Sequence, residues 1–149
     1  MAKNIEIEKM SFAKDMPLPS YSSDNCSGLD LYAANKKNLI LKSGKTVIVS
    51  SGIKIALKKN FEGQIRPRSG LAKKFGVTVL NSPGTIDEDY RGEIKIILIN
   101  HGKIDFVIKR GMRVAQLVIS KVEKIEWSEK KKIKLNTNRN KSGFGSIGF

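Results

Sequence analysis

Short apolar runs that alternate with polar residues extend through most of this chain, and they constrain its fold more than any other feature. In Ile53–Leu57 the apolar side chains and a lysine alternate with a period of two. Such alternation is typical of a strand with one face on the core and one face in water. Turn signals such as Ser43-Gly44 and Arg110-Gly111 separate the runs. The pattern predicts an all-β sandwich, jelly roll or barrel.

Nine segments fit this strand pattern: Ile5–Met10, Leu39–Leu41, Thr46–Val49, Ile53–Leu57, Gln64–Arg66, Thr78–Asn81, Ile94–Asn100, Ile104–Ile108 and Val114–Val122. One short helix is predicted over Ser69–Phe75. Ser69 is expected to cap its start and Gly76 to end it.

The composition favours a single intracellular domain. A chain of 149 residues suits one domain with its own core. Cys26 is the only cysteine, which excludes an intrachain disulfide and a cysteine-based metal cluster and fits a reducing compartment. No apolar run approaches the roughly 18 residues that span a membrane, and the alternating N-terminus predicts a strand rather than a signal peptide. We therefore expect a cytoplasmic protein with no membrane partner.

The formal net charge of +14 is compatible with a nucleic-acid partner, an acidic small ligand or a lysine-rich surface. The lysines are spread over most of the chain, and many alternate with apolar residues as on the solvent face of a strand. No aromatic-rich stacking platform or basic helix accompanies the charge. The distribution therefore favours a lysine-rich surface and predicts no stable nucleic-acid partner.

The segment Gly84–Gly92 reads Gly-Thr-Ile-Asp-Glu-Asp-Tyr-Arg-Gly and is the most informative stretch for function. Glycines at both ends allow a sharp turn and a close approach of the backbone to a ligand. Its carboxylates offer a base or a metal contact, and Tyr90 offers a flat apolar face. The segment is interpreted as a hairpin that holds a small polar ring. An ordinary turn is the alternative, because Asp and Gly are common turn residues.

Three other polar positions stand out. Arg68 is a planar fork suited to phosphate oxygens, and Ser69 and Gly70 follow it where a helix start presents backbone N–H groups to an anion. A plain helix cap is the alternative. Gln116 interrupts an apolar strand, so it either bonds neighbouring backbone or faces a ligand. Asp30 lies between two leucines and is interpreted either as a turn or edge-strand carboxylate or as support for a metal-bound water network.

The composition changes near Ser128, and the last residues become polar and then glycine-rich. Residues 136–149 are interpreted either as a frayed terminus or as a flexible arm that closes over a ligand. We expect a core over residues 1–135 and the arm over 136–149.

Five segments together resemble the five ordered motifs of the trimeric deoxyuridine triphosphatases. They are Ser27-Gly-Leu-Asp-Leu-Tyr, Arg66-Pro-Arg-Ser-Gly-Leu-Ala, Leu80-Asn-Ser-Pro through Gly92, Gly111-Met-Arg-Val-Ala-Gln-Leu and Arg139-Asn-Lys-Ser-Gly-Phe-Gly-Ser. They occur in the order of the family. The third motif and the Gly-Phe-Gly-Ser of the fifth are highly specific.

The resemblance implies a jelly-roll-type β-barrel with one short helix and a flexible glycine-rich C-terminal tail, assembled as a homotrimer. It implies Mg²⁺-dependent hydrolysis of dUTP to dUMP and pyrophosphate. That activity limits uracil incorporation into DNA and supplies dUMP for thymidylate synthesis.

The resemblance also implies residue roles by position. Asp87 activates water and Tyr90 packs against deoxyribose. The implied substrate-binding set is Arg68, Ser69, Gly70, Asn81, Thr85, Ile86, Asp87, Tyr90, Lys95, Gln116, Arg139, Phe144, Gly145 and Ser146. Within this set Arg139 reaches the terminal phosphate and Phe144 stacks on uracil. Magnesium is held mainly by substrate phosphates and waters, with Asp30 as outer-shell support.

The chain departs from the family pattern mainly in the fifth motif. Asn140 stands where Gly is usual and Ile147 where Thr is usual, and Ser27 replaces Ala in the first motif. Two other functions are alternatives. A deoxycytidine triphosphate deaminase shares the fold by family resemblance and is separated by release of ammonia from dCTP. A basic β-barrel that binds nucleic acid predicts salt-dependent affinity for oligonucleotides.

Overall fold

The fold consists of short antiparallel strands with one α-helix. The computed structural model describes residues 4–134 and 137. The strands are β1 (Glu6–Lys9), β2 (Leu29–Tyr32), β3 (Leu39–Leu41), β4 (Thr46–Ser50), β5 (Ile53–Ala56), β6 (Phe61–Arg66), β7 (Val77–Val79), β8 (Gly84–Ile86), β9 (Lys95–Asn100), β10 (Phe106–Ile108) and β11 (Arg113–Lys121). The helix α1 spans Ser69–Phe75, and a 3-10 turn spans Ser11–Ala13.

Two larger sheets carry most of the structure. One has the order β2-β11-β6-β8 and the other the order β4-β9-β7. Two-stranded sheets pair β1 with β5 and β3 with β10. The described strands therefore form four separate sheets and not one continuous sheet. Among the residues described, no helix is both long and apolar enough to cross a membrane.

A single main core joins the two larger sheets. Strand β9 shows the alternation behind it, because Ile96 and Leu98 are fully buried whereas Lys95 is exposed. The same cluster takes Leu31, Ile65 and Leu117 from the first sheet and Val49, Ile96 and Leu98 from the second. Burial of each such aliphatic side chain stabilises the fold by about 1.5–3 kcal/mol. The period-two pattern thus selects the residues that hold the sheets together.

Each of the nine predicted strand segments overlaps an observed strand, but two strands were not predicted. These are β2 and β8, which have four and three residues. Neither segment was assigned as a strand, because polar residues or glycine interrupt its apolar residues: Asp30 in β2, and Gly84 and Thr85 in β8. Both belong to segments singled out for their polar residues.

The predicted helix is confirmed with the same bounds. Gly76 ends it with φ of 68°, a left-handed conformation that suits glycine. The expectation that Ser69 caps the helix is wrong. Arg68 occupies the N-cap position in an extended conformation, no side chain caps the helix, and Ser69 is its first helical residue.

The expectation of a hairpin at Gly84–Gly92 is also wrong. Strand β8 pairs with β6 in one larger sheet, whereas β9 pairs with β4 and β7 in the other. The segment between β8 and β9 is therefore a loop that passes from one sheet to the other. Turn residues and glycines mark such a crossing as readily as a hairpin, so local sequence did not distinguish the two. We call residues 87–93 the Asp87 loop.

Candidate active site

A polar cleft of about 280 Å³ lies where β2, β6 and β11 meet the start of α1. Its lining unites the first, second and fourth of the segments described above. The lining residues are Ser22, Cys26, Ser27, Gly28, Asp30, Arg66, Arg68, Ser69, Gly70, Gln116 and Val118. We call it the arginine cleft. The structure thus brings together five of the predicted site residues, Asp30, Arg68, Ser69, Gly70 and Gln116.

Asp30 is the charged centre of the arginine cleft. It is 8% exposed, and β2 places it opposite Gln116 of β11. Its Oδ1 accepts a hydrogen bond from Arg68 Nε at 3.2 Å, and its Oδ2 accepts one from Arg113 at 3.1 Å and one from Ser22 Oγ at 2.9 Å. A carboxylate buried to this degree requires such partners. Asp30 therefore fixes the direction of Arg68, a function that sequence reasoning did not assign to it.

The sequence left two alternatives for Gln116, a bond to neighbouring backbone or a place facing a ligand, and the structure is compatible with both. Its Nε2 donates to the carbonyl of Pro67 at 2.9 Å, and its side chain lines the arginine cleft. It lies against Gly28, where a Cβ atom would come within 2.2 Å of Gln116 Oε1. The close contact explains the glycine of the first segment, because any larger residue would displace the amide.

Arg66 and Arg113 are site residues that sequence reasoning missed. Arg66 ends a row of side chains along the outer face of β6, where its guanidinium donates to Gln64 Oε1 and Gln64 donates to Glu62. The available signal was the spacing of two between Arg66 and Arg68, which places a second cation at the same strand end. Arg113 lies in the fourth segment beside Asp30.

Asp87 lies in a second cleft, of about 390 Å³. This cleft is lined by Phe61, Glu62, Asp87, Glu88, Asp89, Val122 and Lys124. None of these residues lines the arginine cleft. Gly84 lies opposite Ile65 and Ile86 opposite Gly63, so β8 carries Asp87 toward the far end of β6 from Arg66. Four residues of strand separate these ends by roughly 13 Å. Within the described part of one chain, the carboxylate and the arginines therefore lie apart.

Tyr90 is held in a defined orientation. Its backbone N–H donates to the carbonyl of Asp87 at 3.1 Å, which closes a turn, and its hydroxyl donates to the carbonyl of Glu93 at 3.0 Å. The ring lies over Gly92, where a Cβ would come within 2.4 Å of the phenol oxygen. The side chain remains 43% exposed. Tyr90 thus presents a fixed ring at the surface.

The Asp87 loop is anchored by two charged side chains that follow Tyr90 in the chain. Arg91 donates to the carbonyls of Glu88 and Tyr90 at 2.8 and 2.9 Å. The carboxylate of Glu93 accepts from Ser50 Oγ and from the backbone of Gly52. These contacts tie the loop to itself and to the turn between β4 and β5.

Glu88 provides a further anchor. Its carboxylate accepts hydrogen bonds from the backbone N–H of Asn60 and from Lys124 Nζ. The Asn60 N–H and then Lys124 lower the pKa of Glu88 below its ordinary value, because both favour the ionised form.

The remaining predicted site residues are dispersed or undescribed. Asn81 is exposed before β8, Thr85 is exposed and Ile86 buried within β8, and Lys95 is exposed at the start of β9. The Nδ2 atom of Asn81 lies 3.1 Å from where a Cβ of Gly84 would be, so glycine allows this approach. The predicted residues Arg139, Phe144, Gly145 and Ser146 lie outside the described residues. Residues 4–134 and 137 contain no group of three or more His, Cys, Asp or Glu side chains placed to hold a metal ion.

Comparison with known proteins decides the family. A family model described as dUTPase matches residues 14–148, nearly the whole chain. The chain belongs to the dUTPase family. Its similarity to curated dUTPases is high: it is 58% identical over 131 residues to the deoxyuridine 5'-triphosphate nucleotidohydrolase of Rickettsia bellii (strain OSU 85-389), covering 88% of this chain and 87% of that protein. The enzyme of the same name from Rickettsia canadensis (strain McKiel) is 57% identical, with 88% of each chain covered.

Solved structures show the same dUTPase fold. A mutant dUTPase of Staphylococcus bacteriophage 80alpha with dUpNHpp has a TM-score of 0.87 at 18% identity, covering 99% of this chain and 100% of that one. A mutant dUTPase from phage phi11 of S. aureus, described with a structural Mg(II) ion, has a TM-score of 0.77 at 18% identity, covering 87% of this chain and 98% of that one. The predicted all-β fold of the dUTPase type is confirmed.

Proposed function

We propose that this dUTPase-family protein hydrolyses dUTP to dUMP and pyrophosphate with Mg²⁺, limiting uracil incorporation into DNA and supplying dUMP for thymidylate synthesis. The observation that carries the proposal is the arginine cleft, where buried Asp30 holds the Arg68 guanidinium and the exposed start of α1 lines the same cleft. This arrangement occurs in a chain that belongs to the dUTPase family over residues 14–148.

The arginine cleft is suited to the triphosphate. Arg68 offers N–H donors in a plane that matches two phosphate oxygens. Ser69 and Gly70 are exposed and add a hydroxyl and backbone N–H groups at the same edge. Gln116 supplies an amide that its bond to Pro67 holds in place. The proposed phosphate contacts are these four residues.

Asp87 is the proposed base. Its carboxylate accepts a proton from a water molecule as the water oxygen bonds to the phosphorus nearest the nucleoside. The bond from that phosphorus to the bridging oxygen breaks, and pyrophosphate leaves with the bond electrons. Positioning the water for in-line attack is most of what such a reaction requires from the protein. Asp87 is exposed in the second cleft and so accessible to water.

A homotrimer is the proposed assembly. The two clefts share no lining residue, and β6 separates Asp87 from Arg66 within one chain. A base and phosphate-binding residues that act on one substrate must lie closer together than Asp87 and the arginines do within one chain. Juxtaposition of the Asp87 loop of one subunit with the arginine cleft of another would satisfy this requirement. The separation therefore supports a site that is completed between subunits.

The residues present fit a magnesium ion that binds with its substrate. Mg²⁺ favours oxygen ligands and commonly retains waters and substrate phosphates. Such an ion needs few protein ligands, and the exposed carboxylate of Asp87 has oxygen atoms of the kind that Mg²⁺ prefers. The oxygens of Asp30 already accept hydrogen bonds from Arg68, Arg113 and Ser22, so any contribution from Asp30 would be through water. When bound, the ion neutralises phosphate charge.

The Asp87 loop and its neighbours are the proposed pyrimidine site. Asn81 precedes β8, Thr85 and Ile86 lie in it, and Lys95 begins β9. Uracil is expected to bond to the backbone of this region. A backbone pattern that matches uracil leaves buried polar groups unpaired when cytosine binds, so the site rejects cytosine.

Residues 1–135 are the proposed catalytic core. Residues 136–149 are the proposed arm, with Arg139 at the terminal phosphate and Phe144, Gly145 and Ser146 at the nucleotide. The match of the family model as far as residue 148 supports the arm.

Tyr90 is expected to exclude ribonucleotides. Its ring is fixed by Glu93 and Gly92 and would crowd a 2'-hydroxyl. Replacing Tyr90 with Ala should narrow the preference for dUTP over UTP in kcat/KM by about tenfold. Tyr90→Phe keeps the ring and should keep most of the preference. Kinetics with both nucleotides check this, and an unchanged preference in Tyr90→Ala would contradict a steric role for the ring.

The decisive test of the function is pyrophosphate release from dUTP, dCTP, dTTP and UTP, each with Mg²⁺ and each with excess EDTA. We expect release from dUTP alone, and loss of nearly all of it when EDTA removes the metal. Ammonia release from dCTP would instead indicate a deaminase. Intact dUTP in the presence of Mg²⁺ would refute the proposed function.

The single cysteine fits a cytoplasmic location, which we propose on that ground.

A further inference from the structure

Three chain segments meet at the carboxylate of Glu88. They are the Asp87 loop, the turn before β6 and the stretch that follows β11. One carboxylate oxygen accepts from the backbone N–H of Asn60, and the other accepts from Lys124 Nζ at 3.0 Å. We call this set of contacts the Glu88 junction. It lies next to Asp87 in the chain.

The backbone of Asn60 makes the junction continuous. Its φ of 65° is in the left-handed region, which Asn tolerates better than most residues. In this conformation its N–H reaches Glu88, while its carbonyl accepts from the N–H of Val122 at 2.9 Å. The backbone N–H and carbonyl of Asn60 therefore connect the Asp87 loop to the residue that follows β11.

Hydrogen bonds hold both the main chain and the side chain of Glu88. Arg91 binds the main-chain carbonyl at 2.8 Å, and the junction binds the side chain. The Glu88 side chain is 27% exposed, whereas that of Lys124 is 68% exposed. An ion pair with so exposed a partner contributes little and is screened by salt. The Asn60 hydrogen bond is the stronger contact, because a charged acceptor meets a rigid backbone donor.

We propose that Glu88 is a positioning residue for Asp87 and that Lys124 links this position to the segment leading to the C-terminal residues. The inference rests on the proposed function, in which Asp87 is the base. Neighbouring Cα atoms are about 3.8 Å apart and joined by a rigid peptide, so a displacement of Glu88 moves Asp87. A misplacement of about 1 Å in a reacting group can lower the rate by 10²-fold.

The test compares four variants by steady-state kinetics with dUTP and Mg²⁺. Glu88→Ala removes both contacts and should lower kcat by about tenfold with KM changed less than about twofold. Glu88→Gln keeps an acceptor for Asn60 and should recover most of the lost kcat. Lys124→Met removes only the ion pair and should lower kcat by about twofold. The double variant Glu88→Gln with Lys124→Met should have the same kcat as the less active of the two single variants. Each substitution removes the same Glu88–Lys124 ion pair, so the second has nothing further to remove.

Lys121 offers a matched control. It lies three residues before Lys124 and pairs with Glu123 rather than with the Asp87 loop. Lys121→Met should keep the wild-type kcat. A wild-type kcat in Glu88→Ala, or an equal fall in Lys121→Met, would overturn the positioning role. If Glu88→Ala does not fold, Glu88→Asp takes its place, because the shorter side chain cannot hold Asn60 and Lys124 at their present distances; a wild-type kcat in Glu88→Asp would then overturn the positioning role. A wild-type protein that leaves dUTP intact would overturn the proposed function as well, so the two failures are distinguishable.

Discussion

Replacing Asp87 with Asn should lower kcat for dUTP by about 10³-fold while leaving nucleotide binding largely intact. A positioned base contributes typically 10²–10⁴-fold, and Asn preserves the shape of the side chain but cannot accept the proton. The side chain of Asp87 is exposed, so the substitution leaves the core unchanged. Pyrophosphate release under saturating dUTP measures kcat, and titration with a non-hydrolysable imido analogue of dUTP measures binding.

Asp89 provides the control for this prediction. It is a second exposed carboxylate in the same loop and lines the same cleft. Asp89→Asn makes the same change of charge two residues away and should alter kcat by less than about threefold, because the proposed mechanism gives Asp89 no proton to accept. Near-normal turnover in Asp87→Asn, or an equal loss in both variants, would remove Asp87 from the role of base.

Replacing Arg68 with Ala should lower kcat/KM for dUTP by about 10²–10³-fold, the range seen when one preorganised electrostatic donor is removed. Arg68→Lys retains the charge but not the fork, so it should recover only part of this loss. Asp30 keeps Arg113 and Ser22 as partners in both variants. We therefore expect a loss of about 1–3 kcal/mol in the free energy of unfolding for Arg68→Ala, with the fold retained.

Lys73 is a matched control for Arg68. It is an exposed cation on the same helix, and it does not line the arginine cleft. Lys73→Ala should leave kcat/KM within about twofold of wild type, as for other surface positions. Urea unfolding separates loss of stability from loss of activity. An Arg68→Lys variant with full activity would show that charge alone, rather than bidentate geometry, serves at this position.

The strands could be predicted where the apolar pattern was long enough to identify them. Ile94–Asn100 is a nearly continuous apolar run with the length of a strand, and β9 lies within it. Strands β2 and β8 carry polar site residues among their apolar ones, so both were interpreted as functional motifs and not as strands. The helix was predicted because a glycine marked its end, whereas its start lacks a capping side chain and was misread.

The residue types of the site could be predicted, but not their partners. Arg68 and Asp30 are 38 residues apart in the chain and Asp30 and Arg113 are 83 apart. No local pattern links positions this distant. The ladder that places β2, β11 and β6 side by side creates the contacts. The same holds for Glu88, which meets Asn60 and Lys124 only in the folded chain.

The amino-acid sequence alone determined the all-β class, the single helix and the family, because periodicity and ordered motifs are local properties that survive in one dimension. The tertiary structure alone decided that the Asp87 loop crosses between sheets and that its carboxylate lies apart from the arginines. It also decided that Asp30 holds two arginines and that Glu88 holds the loop. These features depend on which strands become neighbours, and strand neighbours are selected by burial of the whole core rather than by any segment of the chain.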